Sequence, residues 1–295
     1  MEAGSVLEGR YEIQEQIGMG GWAQVYRGVD RKLQRPVAVK LARAESGEAD
    51  RLVRREAAFL QCLQHPLIPV VYDQGEADSS FLVMEYVDGV TLQTYVAQKG
   101  PFTERKALEK AIELLELFVY LHEKSPAVLY CDLKPDNIMV QRDGSLKLID
   151  WGAAVVLSQD GRKVRRVAGT NGYAAPEQRT DGPGREELGP SADMYAFGKT
   201  LYYMVTGADP SAPPYGELSI RCYEPMLSRR LDQVIRKCTM EKPCERYGST
   251  RELMGEMQEC LRAAGRPKIC RRAHRYIRKV EKSIWFSEKK RECTF

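Results

Sequence analysis

Two short apolar runs, Val128-Leu129 and Leu146-Lys147-Leu148-Ile149, each end at a cluster of polar residues. That pattern limits what the chain can form more than its composition does. The first run opens onto Tyr130-Cys131-Asp132-Leu133-Lys134-Pro135-Asp136-Asn137. The second opens onto Asp150-Trp151-Gly152, thirteen residues after Asn137. Read as strands, the two runs deliver neighbouring loops to one place. A carboxylate, an ammonium and an amide then fall within six residues, on backbone stiffened by Pro135. A second carboxylate, Asp150, arrives from the other loop.

One carboxylate able to take a hydroxyl proton, with an amide and a carboxylate to hold magnesium, is the combination used in phosphoryl transfer. The first stretch resembles the catalytic loop of protein kinases, H-R-D-L-x-x-x-N, and Asp150-Trp151-Gly152 resembles their D-F-G. The resemblance implies an α+β, two-lobed fold with a small β-sheet-plus-helix N-lobe and a mainly helical C-lobe. It makes Asp132 the base and Lys134 the cation on the transferring phosphoryl. Asn137 and Asp150 become ligands of Mg²⁺, with Mn²⁺ as a substitute.

Upstream, residues 11–41 alternate β-like runs with turn signals. Ile17-Gly18-Met19-Gly20-Gly21 leads to Val25, a glycine-rich hairpin whose backbone amides could approach phosphate closely. Such glycines also mark plain tight turns. The third glycine of G-x-G-x-x-G is Ala23, an expected mild loss of loop freedom. Pro36-Val37-Ala38-Val39-Lys40 matches V-A-I-K, although a lysine ending an apolar strand is also a common snorkelling edge residue. A helix is expected over 49–64, with Leu52, Ala57, Phe59, Leu60 and Leu63 on its apolar face. Glu56 lies sixteen residues after Lys40, and the resemblance pairs the two. Arg54 and Arg55 read as a solvated charge run.

Strands are expected at Val70–Tyr72 and Phe81–Tyr86, joined by a polar turn at 75–79. Met84-Glu85-Tyr86-Val87 resembles the kinase hinge, with Met84 as gatekeeper. Backbone groups of Glu85 and Val87 would meet adenine, side-chain identity mattering little, and Met139 would floor the pocket. The residues alone fit an ordinary buried strand and turn equally well. From residue 90 the pattern turns helical: a short helix at Thr91–Gln98, then a longer one from Thr103 with Leu108, Ile112, Leu115 and Val119 in the stripe. His122 reads as a helix-end residue.

Further motifs follow in family order. Thr170 falls where serine/threonine kinases bridge base and lysine, and Ala175-Pro176-Glu177 matches A-P-E. Asp193 would brace the catalytic-loop backbone, and Arg246 would pair with Glu177. The segments 180–190 and 207–216 read as surface loops. The implied domain runs over 11–262 (N-lobe 11–86, C-lobe 87–262), after a lead-in at 1–10 and before a tail at 263–295. The wording is most like the bacterial PknB-type group of eukaryotic-like (Hanks-type) serine/threonine kinases. The expected activity is transfer of the ATP γ-phosphoryl to protein hydroxyls, with autophosphorylation. The competing reading is a pseudokinase-like binding or scaffold module, and a small-molecule kinase is a weaker alternative.

Three letters depart from the family. Tyr130 replaces histidine at a packing position. Cys131 replaces the arginine that pairs with a phosphorylated activation loop. Activity independent of that phosphate is therefore expected, unless Arg162, Lys163, Arg165 or Arg166 takes a related role. Trp151 replaces phenylalanine, and its larger ring either draws the Glu56 helix inward or stiffens the D-F-G turn.

Composition excludes little. The chain has 295 residues, 43% hydrophobic, enough for two lobes. No apolar run reaches the ~20 residues of a membrane span, and Met1-Glu2 with no apolar stretch behind it predicts no secretory signal. The eight cysteines lack metal or disulfide spacing, which fits free thiols and a cytoplasmic location. The net charge of +4 is uneven: residues 263–295 hold eleven Lys/Arg against three Glu. Ala273, Ile277, Val280 and Ile284 lie on one stripe there. A basic amphipathic helix of this kind suits an anionic membrane surface, a partner groove, or the chain's own C-lobe. Nucleic acid is least supported, since no recognition motif accompanies it, and oligomeric state is not legible.

Overall fold

A computed structural model of the chain describes residues 1–43, 47–76, 79–157, 169–178 and 188–264. The first lobe is a six-stranded antiparallel sheet. Its strands are β1 (Val6–Leu7), β2 (Tyr11–Met19), β3 (Ala23–Asp30), β4 (Arg35–Ala42), β5 (Val71–Glu76) and β6 (Ser80–Glu85), in the order β1-β2-β3-β4-β6-β5. One helix, α1 (Gly47–Gln61), lies against it and buries Ala49, Val53, Glu56, Ala57 and Leu60. The other face of the sheet holds a separate cluster of Leu7, Tyr11, Ile13, Tyr26, Val37, Val39, Phe81 and Val83.

The second lobe begins at β7 (Gly89–Thr91), followed by α2 (Leu92–Lys99) and α3 (Glu104–His122). Two hydroxyls start these helices: Thr91 accepts from Thr94 N–H, and Thr103 from Lys106 N–H. Next come β8 (Val128–Leu129), β9 (Ile138–Gln141), β10 (Leu146–Leu148) and β11 (Val155–Val156). They form two small antiparallel sheets, β10-β9-β7 and β11-β8. The helices α4 (Pro190–Thr206), α5 (Arg229–Cys238) and α6 (Thr250–Ala264) complete the lobe. Every residue of α4 from Ala192 to Val205 is buried, as expected of a helix apolar on nearly all sides. The rest of the lobe is laid around it.

The α+β, two-lobed architecture is the one expected, with local differences. The sheet starts at β1, inside the stretch read as a lead-in. β5 runs to Glu76, past the predicted end at Tyr72, because Asp73 to Glu76 pair with Val83 to Ser80. α1 ends at Gln61 rather than 64, since the N–H groups of Cys62 and Leu63 turn back three residues to Phe59 and Leu60. On α1, Leu52 is only half-buried, and Val53 takes its place in the core. On α3 the core face is Ala107, Leu108, Ala111, Leu114, Leu115, Phe118 and Leu121, while Ile112 and Val119 sit at its margin. The stripe is wider than the predicted one because α3 is covered from two sides, by α4 and by α6. No helix among the described residues is long and apolar enough to cross a membrane. The basic tail stripe, most of the loop at 180–190, and Arg162, Lys163, Arg165 and Arg166 lie outside the described residues.

One ion pair fastens the turn Pro176–Gln178 to the turn before α6. Arg246 meets Glu177 through two hydrogen bonds, 2.6 and 2.9 Å, with both side chains essentially inaccessible. Its remaining donors reach the carbonyls of Met240, Ser191 and Glu241. All five N–H groups are used, the condition under which a buried guanidinium is tolerated. Arg246→Met strands the Glu177 carboxylate in the interior and should cost about 3–5 kcal/mol, read as a lower midpoint in urea unfolding.

Candidate active site

The cleft between the lobes is built from four pieces. The first is the β2–β3 hairpin. Gly20 N–H closes its tip on Ala23 O at 2.8 Å, and Ile17, Met19 and Trp22 stand exposed around it. A Cβ at Gly21 would meet nothing within 4 Å, and one at Gly20 only the Ala23 carbonyl at 3.6 Å. Packing within the chain does not demand glycine there, so the open backbone suits a group bound against it. Ala23 pairs in register with Ala42 and is buried with it in the main core. The missing third glycine is thus a packing residue and not part of the open edge.

The second piece is a trio of charges. Lys40 Nζ, on β4, lies 2.6 Å from Glu56 Oε2 on α1 and 2.9 Å from Asp150 Oδ1. The Glu56 side chain is 4% exposed and that of Lys40 12%. Glu56 spends its other oxygen on Trp151 N–H at 3.2 Å. Partial desolvation would raise the Asp150 carboxyl, but the Lys40 charge and hydrogen bond outweigh it and hold the group below its ordinary value.

The third piece is the loop 130–137. Asp132 Oδ1 accepts from Thr170 Oγ1 at 2.7 Å and from Thr170 N–H at 3.2 Å. Its Oδ2 accepts from Lys134 Nζ and Asn137 Nδ2, both at 3.0 Å. Lys134 also donates to Thr170 Oγ1 at 2.6 Å, so base, lysine and threonine form a closed triangle. Asn137 Nδ2 faces a second oxygen, Asp132 O, at 2.9 Å. That fixes the amide so that Oδ1 is the atom left to act as a ligand. Ile149 N–H donates to Asn137 O at 2.9 Å, tying this loop to the strand end that carries Asp150. Cys131 and Asp150 both sit at positive φ, 69° and 60°, a conformation costly away from glycine and concentrated where geometry matters. Asp193 holds Cys131 there, accepting its N–H at 2.7 Å and that of Tyr130 at 2.9 Å.

The fourth piece is the strip from β6 to β7. Met84 pairs in register with Ala38, Val87 is buried, and Met139 lies half-buried on β9 opposite Thr91. The Glu85 side chain has a structural contact of its own. Its carboxylate pairs with Lys147 Nζ at 2.7 Å and accepts from Val70 N–H at 3.2 Å. Lys147 lies buried on β10, and a buried ammonium needs that partner.

Tyr130 and Trp151 join the pieces. Burial, then the charges of Asp150, Asp132 and Glu56, push the Tyr130 phenol well above its ordinary value. Its hydroxyl donates to Ile149 O at 2.6 Å. Trp151 packs edge-on against Tyr130 at 5.0 Å between centroids and against Phe59 of α1 at 6.0 Å. Its indole N–H reaches Leu148 O at 2.9 Å. The larger ring thus contacts α1 through Phe59 and is tied at its indole N–H to the strand before it. Three positions make contacts that the sequence did not reveal. Gln178 donates to Cys131 O at 2.9 Å. His122 is more than a helix end, bonding Asp193 at 2.9 Å and Thr250 at 2.6 Å. Arg55, read as solvated, donates to Ala154 O at 2.9 Å.

Comparison with known proteins bears on the same residues. The family described as protein kinase domain matches residues 11–257. The chain belongs to the protein kinase family. It is 32% identical over 279 residues to the serine/threonine-protein kinase PknB of Mycobacterium tuberculosis, covering 87% of this chain and 44% of that protein. To PrkC of Bacillus subtilis it is 31% identical over 282 residues, 89% of this chain and 42% of the relative. PknB of Mycolicibacterium smegmatis gives 34% over 275 residues, 85% and 43%. This kinase chain thus spans less than half the length of these curated relatives. Kinases of this family use ATP with a divalent metal and act on proteins. The donors at the cleft fit such an ion: Asp150 and Asn137 offer hard oxygens. Among the described residues no group of three or more His, Cys, Asp or Glu could hold a metal alone.

The charge trio gives a pH signature. A carboxyl depressed in the folded state contributes stability that is full above its unfolded pKa, about 4, and is lost as pH falls through the folded value. Lys40→Met should therefore destabilise by an amount that is flat from about pH 8 to 5 and shrinks below about pH 4. Urea unfolding of both proteins across that range checks it, and a difference growing toward acid would contradict the assignment.

Proposed function

We propose that this chain transfers the γ-phosphoryl of ATP, with Mg²⁺ and with Mn²⁺ as a substitute, to serine or threonine hydroxyls of proteins, itself included. The observation that carries the reading is the closed triangle of Asp132, Lys134 and Thr170 beside the assembled trio of Lys40, Glu56 and Asp150. A scaffold that had dropped catalysis would have no need of both.

The residues divide the work as follows. Asp150 and Asn137 Oδ1 would hold the metal. The hairpin amides around Gly18, Met19, Gly20 and Gly21, with Lys40, would hold the phosphates. Ile17, Val25, Ala38, Met84 and Met139 would enclose the adenine, with backbone groups of Glu85 and Val87 on its edge. When bound, ATP·Mg²⁺ supplies the phosphoryl group and offsets the charge that develops on it. Asp132 would orient the substrate hydroxyl and accept its proton as the new O–P bond forms and the bond from the γ-phosphorus to the bridging oxygen breaks, releasing ADP. Lys134 places a positive charge beside that base and on the path of the transferring group. Thr170 holds both side chains in one geometry, so little reorganisation is left for the reactive step.

The direct test is radiolabelled phosphate transfer from ATP·Mg²⁺ to the chain itself and to a generic basic protein. Asp132→Asn should lower incorporation by about 10²–10⁴-fold while ATP still binds, the range for loss of a general base. Wild-type protein that binds ATP and transfers nothing would instead favour a binding or scaffold module.

A further inference from the structure

Arg55 and Glu56 are consecutive on α1, and both reach the stretch that follows Asp150. Glu56 accepts Trp151 N–H through its carboxylate. Arg55 donates to Ala154 O at 2.9 Å, across 99 residues of sequence. Ala154 is buried, and its own N–H closes a turn on Trp151 O at 3.0 Å. The next residue, Val155, is already paired with Leu129 in the β11–β8 ladder. The segment is therefore gripped at three points, two of them from α1. Consecutive helical residues diverge by about 100°, so the two side chains brace the helix from different directions.

The chemistry of position 131 sets the context. Cys131 is buried with Leu129 and Val155. Burial drives its thiol upward, and the Asp193 and Asp132 charges add to this, while the Arg55 guanidinium pulls it back. Arg55 bonds Ala154 O, next in sequence to Val155 of that cluster, so a cation stands beside the position where the family resemblance places an arginine. Its bond goes to a backbone carbonyl, which is present whether or not the activation segment is modified.

We propose that Arg55 is a positioning residue: its bond to Ala154 O docks α1 on the segment after Asp150 and holds Glu56 against Lys40 without an activation-segment phosphate. The proposal rests on the phosphotransfer reading above. It assigns to a helix side chain the coupling that Cys131, neutral and short, cannot provide. Loss of the bond frees α1 to move outward. The Lys40–Glu56 contact then loosens, while the triangle around Asp132 is left intact.

The full chain, its Arg55→Met variant and its Arg55→Lys variant are to be compared after phosphatase treatment. Two readouts are needed: amide hydrogen exchange over residues 47–61, with residues 104–122 as internal control, and separate KM values for ATP and for a basic protein substrate. Arg55→Met should speed exchange in α1 by about tenfold and raise the ATP KM by about tenfold, the size of one charge-assisted hydrogen bond. Exchange in α3 and the KM for the protein substrate should not move. Arg55→Lys should recover part of both effects. In wild-type protein, phosphatase treatment should leave both readouts unchanged.

Unchanged α1 exchange in Arg55→Met overturns the proposal. So does a wild-type protein that falls to the Arg55→Met level once dephosphorylated, since the phosphate would then be the docking group. Exchange that rises equally in α1 and α3 marks a general loss of stability and also overturns it. If wild-type protein transfers no phosphate, the phosphotransfer reading fails by itself, and the exchange comparison still decides the role of Arg55.

Discussion

The carboxylate of Asp193 carries no solvent-accessible surface, yet it receives Tyr130 N–H, Cys131 N–H and the His122 imidazole, at 2.9, 2.7 and 2.9 Å. Amide donors aimed at a buried carboxylate form strong bonds, and these two hold a backbone that would not otherwise stay put. Cys131 at φ 69° costs on the order of 1–3 kcal/mol. Gln178 adds to the grip by donating to Cys131 O. The kink directs Asp132 toward Thr170 and Lys134 instead of along the strand. Because Asp193 sits on α4, buried from Ala192 to Val205, the base is positioned from the centre of the C-lobe, one residue away from the chemistry.

The N-lobe meets that arrangement through charge. Lys40 is nearly buried and must be paired, and its two partners come from different places, α1 and the loop after β10. Without the lysine the nearly buried Glu56 carboxylate would be stranded, while Asp150 is half exposed. Together the two contacts make the position of α1 and the conformation of Asp150 mutually dependent. A second bridge, Glu85 to Lys147, ties the end of β6 to β10 just ahead of Asp150. Ion pairs therefore hold β10 at its middle residue, Lys147, and the loop after it at Asp150.

Most of this was legible where residue type and spacing travel together. Lys40 and Glu56, Asp132 through Asn137, Thr170, and Glu177 with Arg246 all stand in motifs whose order identifies their partners. The structure brings each pair together. What could not be read are contacts made by residues outside such motifs. Glu85 and Lys147 are 62 residues apart, His122 and Asp193 are 71, and Arg55 and Ala154 are 99. Hydrophobic periodicity says which face of a helix is buried, not which distant carbonyl a guanidinium will find. It also blurs at margins. Leu52 and Val53 both continue an apolar pattern on α1, and only packing against the sheet decides that Val53 enters the core.

The two departures nearest the catalytic groups make sense as a pair. Cys131 removes a cation that could capture a phosphate, and with it one means of fixing the segment after Asp150. Trp151 adds contacts to that same segment. Its ring lies between Phe59 of α1 and Tyr130 of the catalytic loop. Its indole N–H is spent on Leu148 O, and its backbone N–H on Glu56. Rotating this residue out of the column would break two hydrogen bonds and two ring contacts, and would strand a buried carbonyl. Phenylalanine would offer the rings but not the indole donor. The larger side chain is accepted without strain on its polar end because Leu148 O lies within reach. The stretch that follows Asp150 is held from within, by an aromatic column and the helix packed on it.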